Sequence, residues 1–240
     1  SNDSPTFKSQ NCTVLSDTEI WCQTVEGEGT QFKFRVIILD ENTMPYQTPI
    51  SPYFGYAKPN IISISGHTNM PTRGYTYVFF NGTNFGPMNE KDYSASYGRV
   101  TNQYETWCYK VTSHTQIKCK VKSYDPLKFR TKLNWVITIA KQKSSSTLNG
   151  IYANTTAYAK PSIFGIFNNT ALNTSGGTMI VFTGQNFGPS TKIMKSLMYG
   201  PTREMMSYSI NIQDCAVGFE IIKCPTSESR VGILRTGLFV

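Results

Sequence analysis

The sequence predicts an all-β protein built from tandem β-sandwiches. A set of short motifs recurs at one offset, the cysteines fall in close pairs at matching places, and the apolar runs have strand chemistry. Tyr56-Ala57-Lys58-Pro59 returns as Tyr158-Ala159-Lys160-Pro161. Gly82-Thr83-Asn84-Phe85-Gly86-Pro87 returns as Gly184-Gln185-Asn186-Phe187-Gly188-Pro189, and Tyr97-Gly98 as Tyr199-Gly200. Self-similarity at a fixed period marks copies of one structural unit. The period matches an immunoglobulin-like sandwich of roughly 100 residues.

The cysteines extend the pattern as Cys12/Cys22, Cys108/Cys119 and Cys215/Cys224. Each second cysteine follows a similar run: Glu19-Ile20-Trp21, Gln116-Ile117-Lys118 and Ile221-Ile222-Lys223. Three units result. Residues 58–159 form a complete one. Residues 160–240 form another, expected to be truncated at its C-terminus. Residues 1–57 read as the C-terminal part of a preceding unit, with Phe34–Ile38 matching the strand at Trp135–Ile139. Tyr75–Phe80 and Thr178–Phe182 are β-branched and aromatic runs bounded by glycine, which is strand chemistry. No amphipathic helix of useful length is present. No apolar run exceeds four residues, against about 18 for a membrane span.

The glycine motif reads as a turn. Gly82 and Gly184 follow a strand and are expected at positive φ, which glycine tolerates. Asn84 and Asn186 tolerate such angles next best. Phe85 and Phe187 would anchor the loop inward. Gly86-Pro87 and Gly188-Pro189 end strand pairing, since proline donates no N–H. No Lys-Ser/Thr and no helix follow, so the loop is not a phosphate cradle.

A strand, then Gly-x-Asn-Phe-Gly, then a further glycine and a close cysteine pair, resembles the IPT/TIG domain family. Pro59 and Pro161 opening each unit, and Gly176-Gly177 before a strand, fit it; Arg73-Gly74 is a mild departure. The resemblance covers residues 58–240 and touches residues 1–57 by their tail. It implies immunoglobulin-like sandwiches of IPT/TIG type. The Asn-, Ser-, Thr- and Lys-rich composition looks more like the tiger cell-surface proteins of social amoebae. That likeness implies a membrane-anchored adhesion and self-recognition protein whose partner sits on a neighbouring cell. Plexins and Met-type receptors carry similar repeats, which implies the alternative of a passive stalk with its ligand site in another domain.

Six cysteines allow fifteen pairings, and the repeat selects neighbour with neighbour: Cys12–Cys22, Cys108–Cys119 and Cys215–Cys224. A zinc site competes poorly, because no Cys-x-x-Cys occurs and only His67 and His114 could help. Disulfides imply an oxidising compartment, and the expected location is the outer face of the plasma membrane. Glycosylation sequons stand at Asn2, Asn11, Asn81, Asn154, Asn168 and Asn173.

The formal net charge is +8. Residues 1–57 hold 3 basic and 7 acidic side chains, residues 58–159 hold 13 and 4, and residues 160–240 hold 7 and 4. Lys118, Lys120 and Lys122 alternate with Ile117, Cys119 and Val121, giving one apolar and one lysine face. Two readings follow. Lysines protect an edge strand from aggregation, or they meet an acidic partner. The candidate contact residues are Lys118, Lys120, Lys122, Lys128, Arg130 and Lys132. The opposed charges also allow contact between adjacent units. Nucleic acid is disfavoured, because lysine outnumbers arginine and base readout prefers arginine. The two histidines lie outside any nucleophile or metalloprotease motif, and the acids form no glycosidase pair. No enzyme activity, cofactor or metal is expected. The expected partner is another cell-surface protein, heterophilic rather than homophilic, and the membrane is reached only through an anchor outside this stretch.

Overall fold

A computed structural model describes residues 8–39, 43, 45–66, 68–88, 93–99, 103–144, 155–200, 208–227 and the backbone of 235–239. Residues 8–57 hold three separate strand pairs. β1 (Gln10–Ser16) pairs with β2 (Glu19–Gln23). β3 (Thr30–Phe32) pairs with β6 (Phe54–Gly55), and β4 (Ile37–Leu39) with β5 (Pro45–Gln47). The strand expected over Phe34–Ile38 thus starts later, at Ile37. Its neighbours are side-chain-capped loops, in which Ser51 Oγ accepts from the Phe34 N–H and Thr48 Oγ1 from the Val36 N–H. Among the described residues no second sheet covers these pairs, and Val14, Ile20, Trp21, Ile37, Ile38 and Leu39 are exposed.

The middle unit is a sandwich. Its strands are β7 (Asn60–Ser65), β8 (Tyr77–Thr83), β9 (Tyr93–Gly98), β10 (Tyr104–Thr112), β11 (Gln116–Lys120), β12 (Leu133–Ile139), β13 (Gln142–Lys143) and β14 (Thr155–Thr156). They hydrogen-bond in the order β13-β12-β9-β10-β11-β8-β7, with β14 on β12. β10 joins two sheets. Its first half, Tyr104 to Cys108, pairs with β9, and its second half, Cys108 to Thr112, pairs with β11. Such switching strands make sandwich corners. Alternation sets the core: β12 reads buried and half-buried in turn, with Leu133, Trp135, Ile137 and Ile139 inward. Phe80, Trp135, Tyr97 and Tyr104 form a continuous aromatic run, with Tyr97 stacked 4.0 Å from Trp135 and 4.7 Å from Tyr104.

The third unit repeats this plan. β15 (Ser162–Phe167), β16 (Met179–Gln185), β20 (Ile221–Pro225) and β19 (Ala216–Val217) form one sheet. β18 (Tyr208–Ile210), β17 (Ser196–Gly200) and β21 (Arg235–Phe239) form the other. β21 pairs with β17 as β12 pairs with β9. The counterpart of β10 is broken here into β18 and β19 by a single 3-10 turn at Ile212–Asp214. The two sheets therefore stay separate.

The repeated loop corrects one expectation. Positive φ belongs to Asn84 (61°), Gly86 (80°), Asn186 (61°) and Gly188 (97°), but not to Gly82 or Gly184. Those two glycines answer close approach instead: a Cβ at Gly82 would overlap the Asn60 carbonyl oxygen, and one at Gly184 that of Ser162. Phe85 and Phe187 are buried as expected. Removing a buried phenyl ring costs about 3–5 kcal/mol. Phe85→Ala is therefore expected to lower the denaturant stability of the middle unit by that amount. A loss below about 1 kcal/mol would show that the ring does not anchor the loop.

Candidate partner-binding face

The candidate lysines begin on β11, which lies between β10 and β8. Edge protection is thereby overturned as their role, because an interior strand has no open backbone to guard. Ile117 and Cys119 point inward and are buried, while Lys118 and Lys120 point outward. Register sets their neighbours. Lys118 lies opposite Phe79 on one side and Tyr109 on the other, and Lys120 lies opposite Tyr77. The Lys118 ammonium stands 5.1 Å from the Tyr77 ring centre, and that of Lys120 stands 5.6 Å from Tyr75. Tyr75, Tyr77, Phe79 and Tyr109 are all exposed. The face is a sheet surface of aromatic rings with two cations among them. Among the described residues neither lysine has a carboxylate partner.

Lys122 follows β11 and is exposed. Its backbone is held by a closed ring of hydrogen bonds. The Lys122 N–H donates to Tyr97 Oη at 3.0 Å, and Tyr158 Oη donates to the Lys122 carbonyl at 2.8 Å. The two hydroxyls are 3.0 Å apart, so the Tyr97 proton goes to Tyr158. Burial raises the Tyr97 and Tyr158 hydroxyls above the ordinary 10.0, and pushes Tyr104 up to about 12. All three are thus neutral when folded. The unfolded chain starts to lose these protons near pH 10, while the folded one keeps them. The stability they confer is full below pH 10 and is lost as pH rises towards and through the folded values. The denaturation midpoint of the middle unit is expected to fall above pH 10, with tyrosinate absorbance from these rings appearing only on unfolding. Full tyrosine titration without unfolding would disprove it.

The remaining candidates are dispersed. Lys128 pairs with Asp125 at 3.6 Å and lies over the Tyr104 ring. Lys132 is exposed with φ 55°. Arg130 is drawn away from the face. It is half-buried, donates through Nη2 to the carbonyls of Ala159 and Asn186, and lies over the Tyr124 ring. Burial lowers its guanidinium below the ordinary value of 12.5. Arg130 belongs to the joint between the middle and third units. Thr72 completes that joint by donating its N–H to Asn186 Oδ1 at 3.1 Å.

The joint before the middle unit was not legible as a motif. Glu28 accepts from Lys110 Nζ at 2.9 Å and from the Tyr93 hydroxyl at 3.1 Å. The Lys110 and Glu28 side chains are 1% and 10% exposed. Glu26 meets His114 at 2.8 Å, and Gln142 bonds both the Gly29 N–H and the Tyr56 carbonyl. Part of the charge contrast between residues 1–57 and 58–159 therefore acts within the chain. Breaking a buried ion pair by removing one partner costs about 3–5 kcal/mol. Glu28→Gln is expected to cost that much in denaturant unfolding and to open residues 30–57 to proteolysis. Wild-type protease resistance in this variant would show that other contacts hold the joint.

The structure forms the disulfides Cys12–Cys22, Cys108–Cys119 and Cys215–Cys224. Cys108, Cys119 and Cys224 are fully buried, whereas Cys12 and Cys22 are exposed. Loops of this length contribute about 3 kcal/mol each by chain entropy. Of the sequons, Asn2 and Asn154 lie outside the described residues. Asn11, Asn168 and Asn173 are exposed. Asn81 lies on β8 beyond Phe79, half-buried. Its Oδ1 accepts from Gln116 at 2.8 Å and its Nδ2 donates to Ser63 at 3.2 Å.

No family model matches this chain, and no curated protein does. Among solved structures, two of the full extracellular region of plexin A4 align with it. One covers 71% of the chain at 20% identity with a TM-score of 0.32. The other covers 92% at 16% identity with a TM-score of 0.35. The chain spans only 15% and 18% of those structures. At these values the likeness assigns neither family nor function.

Proposed function

We propose that this chain is part of an extracellular receptor ectodomain that binds a protein on a neighbouring cell, in adhesion or self-recognition of the kind the tiger resemblance implies. The observation that carries it is the exposed face of Tyr75, Tyr77, Phe79 and Tyr109 around Lys118 and Lys120. Contiguous exposed aromatic surface marks interaction sites, and tyrosine is enriched at interface cores. Lysines without carboxylate partners steer an acidic surface into register and raise the association rate. A partner with apolar and acidic residues on one face fits this chemistry. Three disulfides support an oxidising compartment. The work is binding, without bond-making chemistry.

The clasped joints favour a second reading, a stiff spacer that holds another domain away from the membrane. Glu28–Lys110 on one side and Arg130 with Thr72 on the other tie each unit to the next. The two readings separate in a bead assay. Beads coated with glycosylated, disulfide-bonded chain are mixed with each other and with cells of the source organism. Capture of cells is expected, and the pair Lys118→Glu with Lys120→Glu is expected to lower it at least about tenfold with the fold unchanged. Binding unaltered by that pair would remove the face from consideration, and absence of any binding would leave the spacer reading. A glycan at Asn81 would cover the face. Glycopeptide mass spectrometry is therefore expected to find Asn81 unmodified, and occupancy there would count against this interface.

A further inference from the structure

The outer surface of the other sheet in the middle unit carries a groove that shares only Lys122 with the candidate lysines. Ser94 and Ser96 point outward from β9, and Thr138 lies beside Ser94 on β12. Their small side chains leave a cleft of about 450 Å³ across the sheet. That is within the roughly 300–1,000 Å³ of small-molecule sites. Trp107 on β10 lies opposite Ser94 and is 57% exposed. Glu105, Lys122 and Lys143 supply the charged part of the lining. Among the described residues these three charged side chains have no ion-pair partner.

The chemistry of the lining narrows the occupant. The cleft is open to solvent and lined largely by polar atoms, so it does not enclose an apolar metabolite. A peptide strand cannot be added, because β9 lies between β12 and β10 with its backbone groups already paired. A sugar ring matches both characters of the cleft. Its C–H face is apolar and stacks on an exposed indole, while its rim hydroxyls both donate and accept. Serine and threonine hydroxyls and the Glu105 carboxylate supply the complementary groups. Two lysines against one carboxylate favour an anionic sugar. The site is also preorganised. The Tyr97–Tyr158 ring fixes the Lys122 backbone, and Thr106 Oγ1 donates to the Lys120 carbonyl at 2.6 Å.

We propose that this groove binds a short anionic oligosaccharide. One ring stacks on Trp107, its hydroxyls meet Ser94, Ser96 and Thr138, and its acid group is held by Lys122 and Lys143. The inference goes beyond the protein–protein reading, since Trp107, Ser94 and Lys143 lie outside the lysine face.

Calorimetric titration of the full chain tests it with two probes of equal length. A hyaluronan hexasaccharide carries a carboxylate on alternate rings, and N-acetylchitohexaose, acetylated on every amine, is neutral. Hyaluronan is expected to bind, and N-acetylchitohexaose at least about tenfold more weakly. Trp107→Ala and Lys143→Gln are each expected to weaken hyaluronan binding about tenfold, with near-ultraviolet circular dichroism showing intact packing. Three results overturn the proposal. They are no hyaluronan binding, equal binding of the two oligosaccharides, or hyaluronan binding that Trp107→Ala leaves unchanged. The last would mean that charge alone attracts the polymer.

Discussion

The backbone pairing between the Asn-Phe-Gly loop and the turn of the cystine hairpin is the constraint on which each unit depends. In the middle unit the Gly82 N–H donates to the Thr115 carbonyl at 2.9 Å, and the Phe85 N–H to that of His114 at 3.1 Å. In the third unit Gly184 donates to Glu220 at 2.9 Å, and Phe187 to Phe219 at 3.0 Å. The loop must therefore bend back over its own strand, which puts Gly82 and Gly184 against a carbonyl oxygen and leaves no room for a Cβ. Each phenyl ring then fills the space beneath. The hairpin turn is fixed in turn by the disulfide a few residues away. Glycine motif and cysteine pair recur together because the motif's hydrogen-bond partner is the turn that lies between the two cysteines.

The same loops face the neighbouring unit, which turns a local constraint into an architectural one. Gly86 stands where Glu28 reaches Lys110, and a Cβ there would overlap the Glu28 carboxylate. Asn186 accepts from Thr72 through its side chain and from Arg130 through its carbonyl. A buried ion pair serves one joint and a half-buried guanidinium the other. Both are costly to desolvate and are retained only with their partners in place. The exposed Arg73–Glu220 pair at 3.2 Å adds little beside them, because solvent screens it. Held at both ends in this way, the middle unit presents its two outer surfaces in fixed directions.

What the sequence revealed and what it hid follow from the range of each interaction. The loop was legible because its demands on Asn84, Phe85 and Gly86 are local and recur in the next copy. The alternation at Ile117, Lys118, Cys119 and Lys120 disclosed a strand with one buried face. It could not tell an edge strand from an interior one, since both keep a solvent face when the sheet is antiparallel. Arg130 looked like part of a basic surface run, because nothing within several residues of it reveals the Ala159 and Asn186 carbonyls. Glu28 and Lys110 are farther apart still, and only the docked fold pairs them. Trp107 carried no signal of its own. Its place beside Ser94 arises because β10 changes sheets at Cys108, and no local periodicity records that change.

That change of sheet also separates the middle unit from the third, which keeps an outward lysine, Lys223, opposite Val181 on its own sheet. A continuous β10 places Trp107 and Tyr109 on one strand but in two sheets, so aromatic side chains project from both outer surfaces within a few residues. In the third unit the corresponding strand is interrupted at Ile212–Asp214, where Asn211 caps the turn by accepting from the Gln213 N–H. The interruption splits the shared strand, and the outward position opposite Lys223, which corresponds to that of Tyr109 opposite Lys118, holds Ala216 instead of an aromatic ring. The loop, the anchor and the disulfide are kept in both copies, because they hold each sandwich closed. The corner strand is the part free to differ, and it is there that the middle unit departs from its neighbour.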